Sequence, residues 1–473
     1  RGGGSSPSKG TRTCGRTFIA FQVFKVGGLK QIPGRPSWRS GKEHSLAVHF
    51  RRPFLLLGLL SLLASPVAQA GPSLLFDAAT GEVISHERAG EPWYPASLTK
   101  LMTAYIVFKK LKTGTLRLDQ KILVSPLAAS QEPSKIGMPP GSSISVDLAL
   151  QTLLVYSAND MAYVLAEGAN GTVFNFVQEM NATAKKLGLN ATHFVNPNGL
   201  FDPRQLTSAR DIGVLAAVIL AEFPEHSRYF SQQHVAIGKK KLLNRNSLIR
   251  SMPEADGMKT GFVCNSGFNL VASATRDGRK LIAVVLGAPN SGNRAEIART
   301  LLAEGFPKGT LASRPRLAQI SNSPLGAIVP ADLTSTVCKK KPPVTAVRAK
   351  ELVGWGITFG SYDTLQKADM ALRGRLISPA GMDAPGKAGV VRMPNKQGFA
   401  AMLWNIDQAT SQALCNDYRS QNAVCEVMTP AAFAQIAALS KEPEPKPKAQ
   451  APVAQGSDGQ KAEKKKIIKK TAN

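Results

Sequence analysis

Acidic residues are scarce in this chain. Its 473 residues carry 32 Asp and Glu against 59 Lys and Arg, a formal net charge of +27. Such a surplus favours anionic surfaces: nucleic acid, phospholipid or acidic cell-wall polymer. Aromatic residues make up only 6%, and no basic helix, zinc spacing or glycine-aromatic RNA motif is present, so no nucleic-acid partner is expected. Cysteine is sparse, with five in all. No pair of them has metal-ligand spacing, which argues against a zinc site; no metal and no other cofactor is expected. No unbroken apolar run reaches the ~20 residues that a membrane span requires. Residues 1–47 lack methionine and are rich in Gly, Ser and Arg, which does not suit a leader sequence.

What is present begins with RRPFLLLGLLSLLASPVAQA at 51–70. Two arginines, an apolar run interrupted by Ser61, Ser65 and Pro66, and the small-residue pattern Ala68-Gln69-Ala70 make a cleavable export signal over 48–70. The expectation is a mature chain starting at Gly71, with no transmembrane segment left after signal removal, in the periplasm or cell envelope. Residues 1–47 are then read as upstream translation of non-coding sequence, with the start near Val48. Residues 1–70 hold eleven of the basic groups and one acid, so the chain from 71 onward keeps 48 basic and 31 acidic groups. Export also means an oxidising environment. Cys415 and Cys425, ten apart on an expected helix and the strand after it, are the candidate disulfide.

PSLLFDAATGEVISHE reads as a hairpin turning at Ala79-Thr80-Gly81. Helical periodicity follows at 97–112, 145–156, 172–187 and 207–222. GMKTGF, GFNLVASA and LIAVVLGA then read as strands, the last two joined through Arg276-Asp277-Gly278-Arg279, and a helix closes the domain at about 306. Strands at both ends of a helical middle imply an antiparallel sheet whose first and last strands meet, with helices packed on it, an α+β domain over 71–306. Residues 307–350, rich in Pro, Ser and Lys, read as a linker. Residues 352–430 follow a βαββαβ order, a small sheet with two helices on one face. From 431 the chain reads as a disordered Lys- and Pro-rich tail.

Three short motifs carry the chemistry. PASLTK places Ser97 and Lys100 on one face of a helix start. A serine needs a base to become a nucleophile, and lysine serves once burial or nearby cations lower its pKa. The helix N-terminus adds backbone N–H groups where an oxyanion would form. The plainer alternative is Ser97 as a helix N-cap; Ser-x-x-Lys also occurs at Ser6 and Lys9, with no other sign of chemistry. TLLVYSAND then supplies Ser157 and Asn159 between two helical patterns, and GMKTGF supplies Lys259, Thr260 and Gly261 on a strand. Ser-x-x-Lys, Ser-x-Asn and Lys-Thr-Gly in this order and setting are the joint signature of class A β-lactamases and penicillin-binding proteins.

Residues 72–305 resemble the low-molecular-weight penicillin-binding proteins, serine-type D-alanyl-D-alanine carboxypeptidases. The likeness extends through GMPPGSSISVDLALQTLLVYSANDMAYVLAE, MNATAKKLGLNATHFVNPNGL, TSARDIGVLA and LVASATRDGRKLIAVVLGA. It implies a β-lactamase/transpeptidase-like fold, with helices on both faces of the sheet and a helical subdomain. Ser97 would be the acylated nucleophile and Lys100 its proton acceptor. Ser157 would relay a proton to the leaving amine, and Asn159 would hold Lys100 and the substrate amide. Lys259, Thr260 and, less closely matched, Arg294 would bind the terminal carboxylate. The oxyanion would meet the N–H groups of Ser97 and Phe262, with Gly261 leaving room for substrate along the strand. The implied partners are peptidoglycan stem peptides and glycan strands, with β-lactams as covalent inhibitors. Val263 and Asn198 depart from the threonine and histidine common in the family, which bears on substrate preference. The loop NATHFVNPNGLFDPRQ contains no glutamate, unlike the deacylating loop of class A β-lactamases. A D,D-endopeptidase would share every catalytic residue, and a non-catalytic wall-binding protein would share the fold. Residues 352–430 resemble a SPOR domain, a peptidoglycan-binding module, in their βαββαβ order and their opening GITFGSYDTLQKADMAL. Because no catalytic candidate lies beyond 294, the second domain is expected to be dispensable for chemistry on a small peptide.

Overall fold

The computed structural model describes residues 71–338, 345–394 and 398–440. The expected signal and the extension before it, and residues 441–473 of the expected tail, lie outside the described residues. Five strands build the main sheet of the first domain: β1 (Ser73–Asp77), β2 (Val83–Glu87), β3 (Ala255–Val263), β4 (Gly267–Arg276) and β5 (Arg279–Ala288). They form an antiparallel sheet in the order β2-β1-β5-β4-β3. The first and last strands meet, with Leu75 opposite Ala283. Two local turns set the register. Asp77 Oδ1 accepts from the N–H groups of Ala79 and Thr80, both at 3.0 Å. Asp277 and Gly278 both take positive φ, 49° and 76°, the geometry a two-residue hairpin between right-twisted strands demands.

The strands alternate with period two, so each face of the sheet is apolar. Leu74, Phe76, Val271, Ile282 and Val284 point into the larger core. Leu75, Leu270, Ala272, Leu281 and Ala283 point into a second one. Five principal helices lie between β2 and β3 in the chain: α1 (Lys100–Lys112), α2 (Val146–Gln151), α3 (Asn159–Asn170), α4 (Val173–Lys186) and α5 (Ala209–Glu222). α5 covers the first face through Ile212, Leu215 and Ile219. α6 (Ser291–Gly305) covers the second through Ala298 and Leu302. A fully buried Leu or Ile side chain contributes about 1.5–3 kcal/mol, so these two faces hold the domain together. α1 is buried from Lys100 through Phe108, as befits the central helix of the helical subdomain.

Two expected helices differ in detail. Ser97 sits on a 3₁₀ turn, Ala96–Thr99, ahead of α1. The pattern at 145–156 is α2 followed by a π-helical turn, Thr152–Tyr156, that ends at Ser157.

The second domain contains β6 (Trp355–Tyr362), α7 (Leu365–Leu376), β7 (Lys387–Arg392), β8 (Phe399–Ile406), α8 (Gln408–Ser420) and β9 (Glu426–Met428). Its four strands lie in the order β7-β8-β6-β9. Leu372 and Leu376 of α7 and Tyr418 of α8 pack with Ile357, Phe359 and Leu403 on one face. Cys415 and Cys425 are disulfide-bonded beneath them. The reading of a tail from 431 is corrected by a helix, α9 (Pro430–Leu439), which Thr429 caps. Phe433 and Ile436 of α9 cover the other sheet face with Leu352, Met402 and Trp404.

Residues 307–338 of the stretch read as a linker are instead laid along the first domain, while Val347 N–H donates to the Val390 carbonyl of the second. Leu317 N–H donates to the Gly81 carbonyl at 2.7 Å, and Val83 N–H to the Pro315 carbonyl at 2.9 Å. Arg314 pairs with the buried Glu82 at 2.8 Å. A second disulfide, Cys264–Cys338, spans 74 residues and fastens this segment just beyond the end of β3. Among the described residues, no helix is long and apolar enough to cross a membrane.

Candidate active site

The turn that carries Ser97 is held from several sides. Pro95 leads into Ala96, which takes φ +48°, a left-handed conformation costing about 1–2 kcal/mol away from glycine. The buried Asn269 side chain on β4 donates to the Tyr94 carbonyl at 2.9 Å and the Pro95 carbonyl at 3.2 Å. Its Oδ1 accepts from Gly287 N–H at 2.9 Å. From below, the loop Asn196–Leu200 presses on the turn: a Cβ on Gly199 would come within 1.9 Å of the Ala96 carbonyl oxygen. The buried Gln205 amide joins them, donating to Thr99 Oγ1 at 3.1 Å and to Asn196 Oδ1 at 3.0 Å. Ser97 lies inside the 3₁₀ turn, whose N-cap position is Pro95, and Thr99 stands at the N-cap of α1, which removes the reading of Ser97 as a plain N-cap.

Ser97 Oγ instead faces Lys100, whose Nζ lies 3.0 Å away. Lys100 is fully buried and has two further contacts: Asn159 Oδ1 at 2.7 Å and the Asn198 carbonyl at 2.6 Å. The Asn159 amide is oriented by its Nδ2, which donates to the Glu132 carbonyl at 2.9 Å. Two of the three partners can only accept. A neutral amine has two N–H donors and one lone pair, so it satisfies both acceptors and turns its lone pair to the Ser97 hydroxyl. Burial lowers the Lys100 pKa to about 7, against an opposing pull from Asp160. The Asp160 carboxylate is spent on the backbone N–H groups of Ile136, Gly137 and Met161.

Ser157 closes the π-helical turn with φ 69° and ψ 37°, a strained position of the kind that clusters at functional sites. Its Oγ accepts from Lys259 Nζ at 2.9 Å, and the same amine donates to the Thr260 carbonyl at 2.8 Å. Lys259 is buried on β3, the edge strand of the sheet. Burial holds its pKa well below the usual lysine range, helped by the charges of Lys100, Arg294 and Arg245. The edge leaves one side of β3 free of strand partners beside Ser97. Gly261 is explained differently from the sequence reading: a Cβ there would stand 2.8 Å from the Pro95 carbonyl and 3.2 Å from Ser97 N. It would displace the turn that carries Ser97 before it met a molecule in the cleft.

These groups converge on a cleft of about 460 Å³, lined by Ser97, Ser157, Asn159, Thr260, Phe262 and Arg294 among others. Phe262 is 41% exposed at its rim and packs on Phe268 with ring centroids 4.2 Å apart. Arg294, at the start of α6, is buried, and burial lowers its pKa to about 10. Its Nη1 donates to the Asn269 carbonyl at 3.4 Å. Its Nε is buried without a partner among the described residues. The sequence reading missed Arg245, exposed in the cleft with its guanidinium 4.4 Å from the Tyr156 ring centroid. It also missed the anchoring roles of Asn269 and Gln205, and took Asn198 only as a departure from a pattern. None of these lies in a periodic or capping signal; each is defined by partners far along the chain.

A hydroxyl facing a buried amine of lowered pKa, beside a free strand edge and further buried basic groups, is the arrangement of a serine acyl-transfer hydrolase. The sequence matches the D-alanyl-D-alanine carboxypeptidase family profile over residues 62–290. It is 36% identical over 277 residues to the D-alanyl-D-alanine carboxypeptidase DacA of Haemophilus influenzae, covering 56% of this chain and 70% of that one. It is also 36% identical over 249 residues to DacC of Escherichia coli, covering 51% and 62%. A crystal structure of penicillin binding protein 5 from Haemophilus influenzae is similar at 36% identity, with a TM-score of 0.49 over 50% of this chain and 71% of that one. The chain belongs to the D-alanyl-D-alanine carboxypeptidase family and is a serine-type carboxypeptidase.

Proposed function

We propose that the enzyme removes the terminal D-alanine from peptidoglycan stem pentapeptides through an ester on Ser97, outside the cytoplasm, in cell-wall biogenesis and cell-shape control. The observation that carries this is the Lys100 amine, buried, with a pKa of about 7 and 3.0 Å from Ser97 Oγ. Ser97 Oγ bonds to the carbonyl carbon between the two D-alanines as Lys100 takes its proton. The oxygen, now anionic, is met by the N–H groups of Ser97 and Phe262, each donor of this kind being worth roughly 10²–10³ in rate. Lys259, Thr260 and Arg294 receive the terminal carboxylate, the unpartnered Arg294 Nε being a donor in reserve. As the C–N bond breaks, the proton returns through Ser157 to the departing amine. Water then attacks the ester with Lys100 again as base, and Ser97 is regenerated.

β-Lactams would form the same ester and leave it slowly, since residues 190–205 offer no glutamate to activate water. Intact-mass and peptide mapping after penicillin treatment, with D-alanine release from a pentapeptide, test the assignment. Ser97→Ala should abolish both while the fold persists. A penicillin adduct on any other serine overturns it. Digesting crosslinked and uncrosslinked muropeptides side by side separates carboxypeptidase from endopeptidase action.

For the second domain we propose a SPOR-like role on glycan strands, supported by the order β6-α7-β7-β8-α8-β9. Both sheet faces are covered by helices, so a glycan would engage the β7 edge or the helix surfaces. Binding of the full chain to insoluble sacculi should survive salt near 1 M, where the Debye length of about 3 Å removes purely electrostatic attraction. Release of all of it at that salt rules the module out.

A further inference from the structure

The two domains meet behind the nucleophile, and one side chain from α7 is central to that contact. Arg373 is 4% exposed and uses all three faces of its guanidinium. Nη1 donates to Tyr94 Oη at 3.0 Å, Nη2 to Asp332 Oδ2 at 2.6 Å, and Nε to Asp369 Oδ2 at 2.6 Å. Tyr94 is itself buried and lies three residues before Ser97; Asn269 holds its carbonyl. Asp332 Oδ2 also accepts from Asn265 Nδ2 at 2.7 Å, in the turn between β3 and β4. The guanidinium stands over Phe201 at 5.0 Å, directly after Leu200, which lines the cleft. Around it, Ile377 and Met382 of the second domain share an apolar cluster with Tyr94 and Leu206, and Arg204 Nη1 donates to the Ala384 carbonyl at 2.7 Å.

We propose that Arg373 is a positioning residue for the acyl-transfer reaction, and that docking of the second domain is part of the active enzyme. The two oxyanion donors come from two separate segments, the turn at Ser97 and the end of β3 at Phe262. Arg373 reaches the first through Tyr94 and the segment just past the second through Asp332 and Asn265. One rigid fork thus fixes the separation of the two walls. This is the opposite of the expectation that chemistry is indifferent to everything beyond residue 294, and the variants below decide between the two. The inference rests on Ser97 as the nucleophile.

The test compares Arg373→Met, Arg373→Lys and Tyr94→Phe in the full chain, with rates expressed per penicillin-titrated active site. Small misplacements of reacting groups cost up to about 10²-fold. Arg373→Met should therefore lower the penicillin acylation rate and kcat by roughly tenfold or more, with KM nearly unchanged. Lysine should restore only part, because a point charge cannot reach three partners in fork geometry. Tyr94→Phe should cost less, and adding it to Arg373→Met should cost nothing further, because both act through one contact. A purely structural role would reduce the number of active sites and leave the rate at each unchanged. That outcome in a folded Arg373→Met protein overturns the proposal, as does simple additivity of the two losses. If Arg373→Met does not fold, a wild-type rate in Tyr94→Phe overturns it. A penicillin adduct away from Ser97 in the unmodified enzyme would sink the underlying reading instead.

Discussion

Lys100 and Arg373 are both buried basic side chains that serve the turn bearing Ser97, yet their surroundings differ in one respect. Lys100 touches only neutral oxygens: a hydroxyl, an amide and a carbonyl. Arg373 lies between the carboxylates of Asp332 and Asp369. Burial alone disfavours charge, and it pulls the Lys100 pKa down to about 7. Neighbouring carboxylates and Tyr94 outweigh burial at Arg373 and hold its pKa above the usual arginine range. The choice of acceptor therefore decides whether a buried cation can give up its proton or serves as a permanent strut. Lysine suits the first use and arginine the second.

Removing the proposed proton acceptor is the largest perturbation. Lys100→Met should lower penicillin acylation by roughly 10²–10⁴-fold, the range of general-base contributions, while circular dichroism shows a folded protein. Lys259→Ala removes the second buried amine and should slow acylation by about 10- to 100-fold, in line with a charge-assisted hydrogen bond. Its melting temperature should change little, and Lys259→Arg should recover only part of the rate. Full activity in the alanine variant rules out the carboxylate role. Asn159→Asp erases the contrast by giving Lys100 a carboxylate, which typically raises a neighbouring cation's pKa by about 1–3 units. Activity at pH 7 should drop about tenfold or more, and partial recovery at alkaline pH would separate this from lost substrate contact. The mildest test leaves the protein unaltered. Lys100 must be neutral to accept a proton, so kcat/KM should rise with pH through about 7 and flatten above it. A limb that falls as pH rises through this range would exclude Lys100 as the base.

Much of this cleft was legible because its parts are local. Ser97 and Lys100 lie three residues apart, Lys259 and Thr260 are adjacent, and the hairpin at Asp277-Gly278 announces itself in two residues. The fold followed from period-two strands around a helical middle. What stayed hidden depends on contacts across the chain. Asn269 anchors Tyr94 over a separation of 175 residues, and Arg373 meets Tyr94 over 279; neither leaves a periodic mark. The packed segment after α6 was concealed by its prolines and serines. Leu317, Ile320 and Leu333 pack on the core without helical or strand periodicity, and the segment adheres further through backbone bonds and buried acids such as Glu82. α9 was a different miss. Thr429 and Pro430 mark a helix start, and Phe433 and Ile436 have helical spacing, but the lysine-rich composition beyond them concealed it.

The disulfide between Cys264 and Cys338 changes how the second domain is tethered. Without it, the segment after α6 would be held to the first domain by non-covalent bonds alone, such as Ser323 N–H to the Gly90 carbonyl and Leu333 N–H to the Asn265 carbonyl. With it, that anchorage is covalent at Cys338, and the tether to β6 at Trp355 begins there. Effective concentration falls roughly as the −3/2 power of tether length once the span is reached, so peeling of the segment, which the crosslink limits, would lower the local concentration of α7 at Tyr94. The bond lies in the catalytic half and touches no residue of the second domain, yet it favours docking by keeping the undocked state close at hand.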